Sequence, residues 1–597
     1  MEPSPDRTRT VSRASVFVCL SLLTVPWFFR PGAFSVWDAN EAFYVQTPRE
    51  MVESGNWLIP TFNGHPRLNK PPLSYWVVAP WYRWFGFDPA WERRTMAAAA
   101  VGCLVLVYAV ACRLWRDRRA ALLAAAILGA TFRFQTLGRR LLIDTLLLWW
   151  ACLFLWCFLR WEESRRPLWA AAAGAAVGFG ILTKGPIIGL PVSACVLWLL
   201  FAKRLRSTSR PDVVAFCVPA VLIGVSWFAC LAWSHGRQPM LDFFLKENVG
   251  RYASVEFGPR RPIWYYVPVF VADAFPWSLL FLAALPAVVR YSRPSRDILG
   301  SHHRRTGLLV VWIAVIFLFF SLSLNKQEYY IAPLYPAVAV LLGGILVSRE
   351  SGFPRTARLS ALLLAVVLSA AAVVIVRFDL SGRLWIPWAF LAAGTAACLR
   401  GRWGRTAAFL NAGFLSAALL LPEVVEPWRP VKPLAEQIQR LAPATGRDDW
   451  VAGYFRFTAP SLRVYLDRPI LELFEAEEAA AALTSDRPVF LLAEARDLET
   501  LQRLCGPRAI YVAARRPRPV LQARALRQAL ERRDPQHLFR EVLLVTNICP
   551  PPDGADGGRL SSLGRRHSRA SRAQYPAGGL SRPIESCIVR PLLNMRP

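Results

Sequence analysis

Apolar stretches long enough to cross a bilayer recur from Val11 to Leu421, each closed by a short polar or basic loop. A membrane helix needs roughly 17–25 mostly apolar residues, and about thirteen stretches approach that length. They run 15–29, 95–112, 120–136, 141–159, 167–182, 186–202, 211–233, 265–289, 307–324, 331–348, 358–376, 383–399 and 405–421. With 54% of the 597 residues hydrophobic and a positive mean hydropathy, most of the chain is not the interior of a water-soluble domain of ordinary size. The fold class expected is a polytopic α-helical membrane protein of about thirteen transmembrane helices. The net charge of +30 would suggest nucleic acid in a soluble protein, but here it is topological. Arg7, Arg9 and Arg13, then 113–119, 160–166, 203–210, 290–305, 349–358 and 400–405, are basic and fall on one side if the segments between them cross in pairs. Lys and Arg resist translocation, so that side is the cytoplasm and no nucleic-acid partner is implied.

The first span follows a basic stretch with no clear small-residue cleavage site, so it reads as a retained helix rather than a signal peptide. Residues 31–91 then form a long polar and aromatic outer loop, and loops of that length usually carry function. An odd number of spans places everything after Leu421 outside as well. From Pro422 to Asn547 apolar runs shorten and charges rise, the pattern of a soluble α/β domain large enough to bury its own core. Strands are expected at Trp450–Phe457, Val489–Ala493 and Val542–Thr546, with helices at Pro433–Leu441, Ala476–Leu483 and Leu498–Leu504. The Gly, Ser, Pro and Arg-rich tail after Pro550 favours disorder. The division expected is 1–421 membrane domain, 422–549 soluble domain and 550–597 tail. Nine of twelve cysteines lie in or beside apolar spans without metal-type spacing; Cys505 and Cys549 read as two unpaired thiols rather than a disulfide.

Polar residues on the outer side gather in three places far apart in sequence. The first cluster runs Trp37-Asp38-Ala39-Asn40-Glu41-Ala42-Phe43-Tyr44. Asp38 and Glu41, three apart, share a face on a helix, where they either hold a metal or a substrate hydroxyl or simply meet water. Further along the loop, Asn69-Lys70-Pro71-Pro72 sets a positive charge on a stiffened backbone, either to grip a lipid phosphate or to snorkel. Asp144 lies within a span, where a carboxylate is costly, and Arg140 one turn earlier is its expected partner unless it serves a cavity.

The loop resembles the first periplasmic loop of the aminoarabinose transferases and related protein mannosyltransferase-like enzymes, which are GT-C glycosyltransferases of families 39 and 83. The resemblance continues through Leu182-Thr183-Lys184-Gly185-Pro186 and Glu247-Asn248-Val249-Gly250-Arg251-Tyr252. It goes on through Trp264-Tyr265-Tyr266, Pro276-Trp277, the run from Ser321 to Tyr330, and Pro333-Leu334-Tyr335-Pro336, and so spans Trp37 to Pro336 in order. The soluble C-terminal domain fits too. Two departures stand out. The acid pair that usually reads Asp-Glu is Asn40-Glu41, and the acidic residue that often precedes the loop lysine is Asn69. An amide neither takes a proton nor binds a cation as a carboxylate does. The base therefore falls to Asp38 or Glu41, and a divalent metal, the one cofactor to consider, would have those two for ligands. The family's arginine two residues after Glu41 is Phe43 here.

The resemblance implies that a polyprenyl-phosphate sugar presents its headgroup in an outer cavity, where Asp38 or Glu41 deprotonates a lipid, glycan or protein acceptor. Lys70 and Arg251 foremost, with Lys184, Lys326 and Tyr330, stabilise the departing lipid phosphate, and Asn40, Tyr44, Asn69, Asp144 and Glu247 line the cavity. Glu247 and Arg251, four apart, would also pair on one helical face. Inversion is expected from a single displacement, at the periplasmic face of a bacterial inner membrane. The rival from another class, a transporter or lipid flippase, would show charges near the bilayer midplane and broken helices.

Overall fold

The computed structural model describes residues 12–38, 41–254, 260–292, 301–348, 354–377, 382–520 and 538–550. The expected disordered tail and Asn40 lie outside the described residues. Those described fall into two compact units, one within 1–33 and 47–422, the other within 34–46 and 423–597.

The first unit is a bundle of apolar helices. Among the described residues, seven helical runs are long and apolar enough to cross a membrane, or nine if each of two bent pairs is one span. One run, Pro167–Phe201, is 35 residues long and folds back on itself. The helix Ile143–Ser164 carries Asp144 at one end and Glu162 at the other. Lys184 pairs with Asp144, while Arg204, beyond the second half of the run, pairs with Glu162. The run thus reaches one end of its neighbour and returns, as two spans. Gly185 makes that turn: its φ of +77° suits glycine, and a Cβ there would stand 2.7 Å from the Phe243 ring. Helices at the bundle's outside keep apolar side chains uncovered, with Leu222 68% and Val221 56% exposed on Arg210–His235. A membrane helix solvated by lipid tolerates that face where a soluble one would not. The chain is a multi-pass membrane protein.

Within the same unit the first outer loop is well structured. Thr61–Phe62 (β1) and His65–Pro66 (β2) pair as a hairpin. Glu50, from the helix Glu41–Ser54, accepts from Thr61 Oγ1 at 2.8 Å and from the backbone N–H of Asn63 at 2.9 Å, pinning the turn. Trp76 and Trp227 donate their indole N–H groups to the carbonyls of Trp57 and Leu58, both at 2.8 Å. Ile59, Leu73, Leu182, Trp227, Phe228, Leu231 and Phe243 close a core beneath the loop.

The second unit is an α/β domain with five strands: β3 (Val451–Phe455), β4 (Ile470–Leu473), β5 (Val489–Glu494), β6 (Tyr511–Pro519) and β7 (Phe539–Thr546). Their order is β4-β3-β5-β7-β6; β3 is parallel to β4 and β5, and β7 is antiparallel to β5 and β6. Alternate residues feed two cores. Phe490, Leu492, Val542 and Leu544 pack with the helices Val431–Ala444 and Ser461–Leu466; Leu491, Ala493, Leu543 and Val545 pack with Ala476–Leu483 and Leu498–Cys505. All six elements expected from the sequence are present. The unexpected strands, β4 and β6, are the two edges, where one-sided burial weakens the apolar pattern; β6 reads YVAARRPRP, basic and proline-bearing as edges often are. Cys505 and Cys549 are free thiols.

The expected boundary at 421 is incomplete, because residues 34–46 of the first loop belong to this unit. The Val36 N–H donates to the Tyr465 hydroxyl at 2.7 Å, the Ser35 N–H to Glu426 at 2.9 Å, and the Arg429 guanidinium lies 4.2 Å from the Trp37 ring centre.

Candidate functional site

The membrane unit gathers cations from loops remote in sequence. Lys70 stands where the stiff Asn69-Lys70-Pro71-Pro72 stretch enters the short helix Leu73–Trp76, held by the tryptophan anchors above. Its side chain is 18% exposed, its ammonium lies 3.9 Å from Glu247 Oε2, and it donates to the Asn69 carbonyl at 2.8 Å. Arg251, Lys184 and Arg67 are the other positive groups around it. Burial first, then Arg251, pushes the Lys70 amine down to about 7; Glu247 opposes the shift.

Glu247 and Arg251 lie at either end of a π-helical stretch, Leu245–Gly250, and its junction with the turn Arg251–Ala253. Arg251 Nε donates to Glu247 Oε2 at 2.8 Å, the expected pair four residues apart, and also bonds the Tyr330 hydroxyl. Lys184 caps its helix at Gly185, donates to Asp144 Oδ1 at 2.5 Å, and stands 5.3 Å from the ring centres of both Tyr329 and Tyr330. The structure thus brings together Lys70, Lys184, Arg251, Tyr330, Asn69, Asp144 and Glu247.

Two expectations change. Asp144 pairs with Lys184 rather than Arg140: the helix begins only at Ile143, and Arg140 and Leu142 are extended, so the one-turn spacing never forms. Lys326 is turned inward, 3% exposed, and donates to the Ser323 carbonyl and, at 3.3 Å, to that of Arg261. It ties down the turn that carries Tyr329 and Tyr330.

Asp38, Glu41 and Tyr44 belong to the other unit. Asp38 is not on the helix Glu41–Ser54 but precedes it. Its Oδ1 accepts from both the hydroxyl and the backbone N–H of Ser461, the latter at 3.1 Å. Burial raises its carboxyl above the usual range despite those hydrogen bonds and despite Arg429 and Arg518. Glu41 instead reaches back and accepts from the Trp37 N–H at 2.9 Å; Tyr44 is buried. The two carboxylates therefore do not share a helical face, and among the described residues no three His, Cys, Asp or Glu side chains stand together as a metal site needs.

A second ionic group escaped the sequence reading. Arg133 donates to both carboxylate oxygens of Asp273, at 2.8 and 2.9 Å, and Tyr335 donates to Asp273 at 2.9 Å. Each charge lies in a bent helix pair, with breaks of 68° and 115°. The signal was present: one charge of each sign in two otherwise apolar spans, which calls for mutual pairing.

The sequence profile of the dolichyl-phosphate-mannose-protein mannosyltransferase family matches residues 15–236. An uncharacterised protein of Aquifex aeolicus is 28% identical over 74% of this chain and 85% of its own. The undecaprenyl phosphate-alpha-4-amino-4-deoxy-L-arabinose arabinosyl transferase 2 of Pseudomonas fluorescens is 30% identical over 63% of each. The chain spans less than two thirds of the length of that transferase and of its counterpart in Erwinia tasmaniensis. In structure it is similar to ArnT from Cupriavidus metallidurans bound to undecaprenyl phosphate, with a TM-score of 0.69 and 21% identity over 90% of this chain and 98% of that one. The chain is thus similar to the aminoarabinose transferases and, over residues 15–236, to the protein mannosyltransferase family, and it has the ArnT-like GT-C fold.

Proposed function

We propose that the protein transfers a sugar from a polyprenyl-phosphate donor to a lipid, glycan or protein acceptor, at the periplasmic face of a bacterial inner membrane. The observation that carries this reading is the convergence of Lys70 and Arg67, Lys184 and Arg251, from three separate stretches of the membrane unit, with Glu247 and Asp144 among them. Cationic groups held in a partly dry site are worth most where negative charge grows during reaction, as it does on a departing lipid phosphate. Lys70 and Arg251 would bind that phosphate directly. Lys184, neutralised by Asp144, would position Tyr329 and Tyr330 through their rings. The outward placement follows from the basic loops on the opposite side.

The acceptor's proton would go to Asp38. Its weakened acidity brings it nearer to the pH at which a general base works well, and the hydrogen bonds from Ser461 to Oδ1 hold the carboxylate in place. Glu41, already bound to the Trp37 N–H, would support the entry of its helix. If a divalent cation takes part, Asp38 and Glu41 would need to reorient to hold it together.

Transfer of labelled sugar from a synthetic polyprenyl phosphate, in membranes holding the full chain, tests the reading. Lys70→Ala and Asp38→Asn should each lower turnover by about two orders of magnitude or more, and Glu41→Gln by less. Full activity in Lys70→Ala would remove the phosphate-binding role. Full activity in Asp38→Asn would return the base to Glu41.

A further inference from the structure

The acids of the cation cluster are not used alike. Among the described residues, Asp144 forms its ion pair with Lys184, through Oδ1 at 2.5 Å. Glu247 serves two cations through a single oxygen: Oε2 is 2.8 Å from Arg251 Nε and 3.9 Å from Lys70 Nζ. A carboxylate placed between the two cations that would bind a phosphate oxygen occupies part of that oxygen's electrostatic role. Glu247 is also built to leave. It is 21% exposed at the side chain and sits in the π-helical stretch Leu245–Gly250, whose wide turn is a feature that recurs at functional sites. Arg251 keeps a second anchor, the Tyr330 hydroxyl, when the carboxylate withdraws. Beside Lys70, the buried Oδ1 of Asn69 has no hydrogen-bond partner among the described residues and is open to a donor.

We infer that Glu247 is a resident counter-ion: it holds Lys70 and Arg251 in the ligand-free protein, yields them to an incoming phosphate, and by competing for them speeds release of the spent lipid phosphate. This rests on the phosphate-binding role given above to Lys70 and Arg251. A dianionic headgroup and the Glu247 carboxylate repel each other, so binding is weakened by the work of moving Glu247 aside. Glu247 acts on the phosphate only through the two cations and is a positioning residue.

The test is binding of undecaprenyl phosphate, and separately of inorganic phosphate, to the full chain in lipid nanodiscs, for wild type, Glu247→Gln, Glu247→Asp and Lys70→Ala. Removing a competing charge from a partly buried pair should tighten undecaprenyl phosphate binding by about tenfold in Glu247→Gln. Glu247→Asp, retracted by one methylene, should fall between. Turnover should show kcat and KM both lowered in Glu247→Gln, a split that a merely destabilised fold does not give. Tightening for inorganic phosphate as well identifies the headgroup as the competitor. Tightening for the lipid alone would overturn the counter-ion role and place the effect on the polyprenyl chain. Weaker or unchanged binding in Glu247→Gln, with Lys70→Ala impaired, overturns the inference and leaves the function reading standing. Unchanged binding in Lys70→Ala overturns the function reading itself. If Glu247→Gln does not fold, Glu247→Asp decides by the same signs.

Discussion

The membrane unit holds two charged groups at breaks in its helices, and they are built in opposite ways. Around Asp273, one carboxylate meets one guanidinium in a two-pronged bond and a tyrosine hydroxyl completes the shell. Around Lys70, the Glu247 carboxylate is split between Lys70 and Arg251, while Asp144 pairs with Lys184. A matched pair in a low-dielectric setting has little left to offer a ligand, because its charges are already compensated. A carboxylate shared between two cations leaves part of their field uncompensated, and that field can act on an anion. Charge balance, rather than the mere presence of ions in a membrane protein, separates structural polarity from a binding site.

The largest effect that would break this comparison is on stability. Arg133→Met leaves Asp273 buried without its cation and should destabilise the fold by about 3–5 kcal/mol, while replacing both partners with apolar residues of similar volume should recover most of it. Thermal unfolding of the purified variants in detergent checks both; a harmless Arg133→Met would mean that this pair is no more structural than the other. Lys70→Ala, by contrast, removes a cation that burial disfavours and should leave the unfolding temperature level or higher.

A smaller effect is on pH. The Lys70 amine, held at about 7 in the fold against 10.5 for an ordinary lysine, is charged in the native protein only below that value. The unfolded chain therefore binds the extra proton between about pH 7 and 10.5, so stability rises with pH across this window and the penalty of the charged native form is full below it. Phosphate binding needs the charged form, with Arg251, Lys184, Arg67 and Glu247 as its charged neighbours. Affinity for undecaprenyl phosphate should fall by up to about tenfold per pH unit above 7, and Lys70→Arg should flatten the profile. A flat wild-type profile would mean that Lys70 stays charged. The smallest effect expected is for Gly185→Ala, which strains the left-handed turn behind Lys184 by about 1–3 kcal/mol. It should disturb phosphate affinity and leave the Arg133–Asp273 pair intact, as comparison with Arg133→Met by thermal unfolding would show.

The helix periods, the basic loops and the resemblance between Trp37 and Pro336 made the membrane bundle and the likeness to the aminoarabinose transferases legible in the sequence. The resemblance also named Lys70, Lys184, Glu247 and Arg251, which the structure brings together. Short-range pairing was legible where a helix was continuous, as at Glu247 and Arg251, and failed where one had not yet begun, as at Arg140 and Asp144. Edge strands were missed because half-exposed backbone leaves little apolar signature.

What only tertiary structure decided is which charges meet. That Lys184 neutralises Asp144, that Arg133 finds Asp273, and that Asp38 turns to Ser461, 423 positions away, are outcomes of packing between segments with no common local pattern. Hydrophobic periodicity acts over one or two turns and is written residue by residue, so a single sequence displays it. An ion pair between distant segments depends on where every intervening helix comes to rest, and that is fixed only when the whole core closes.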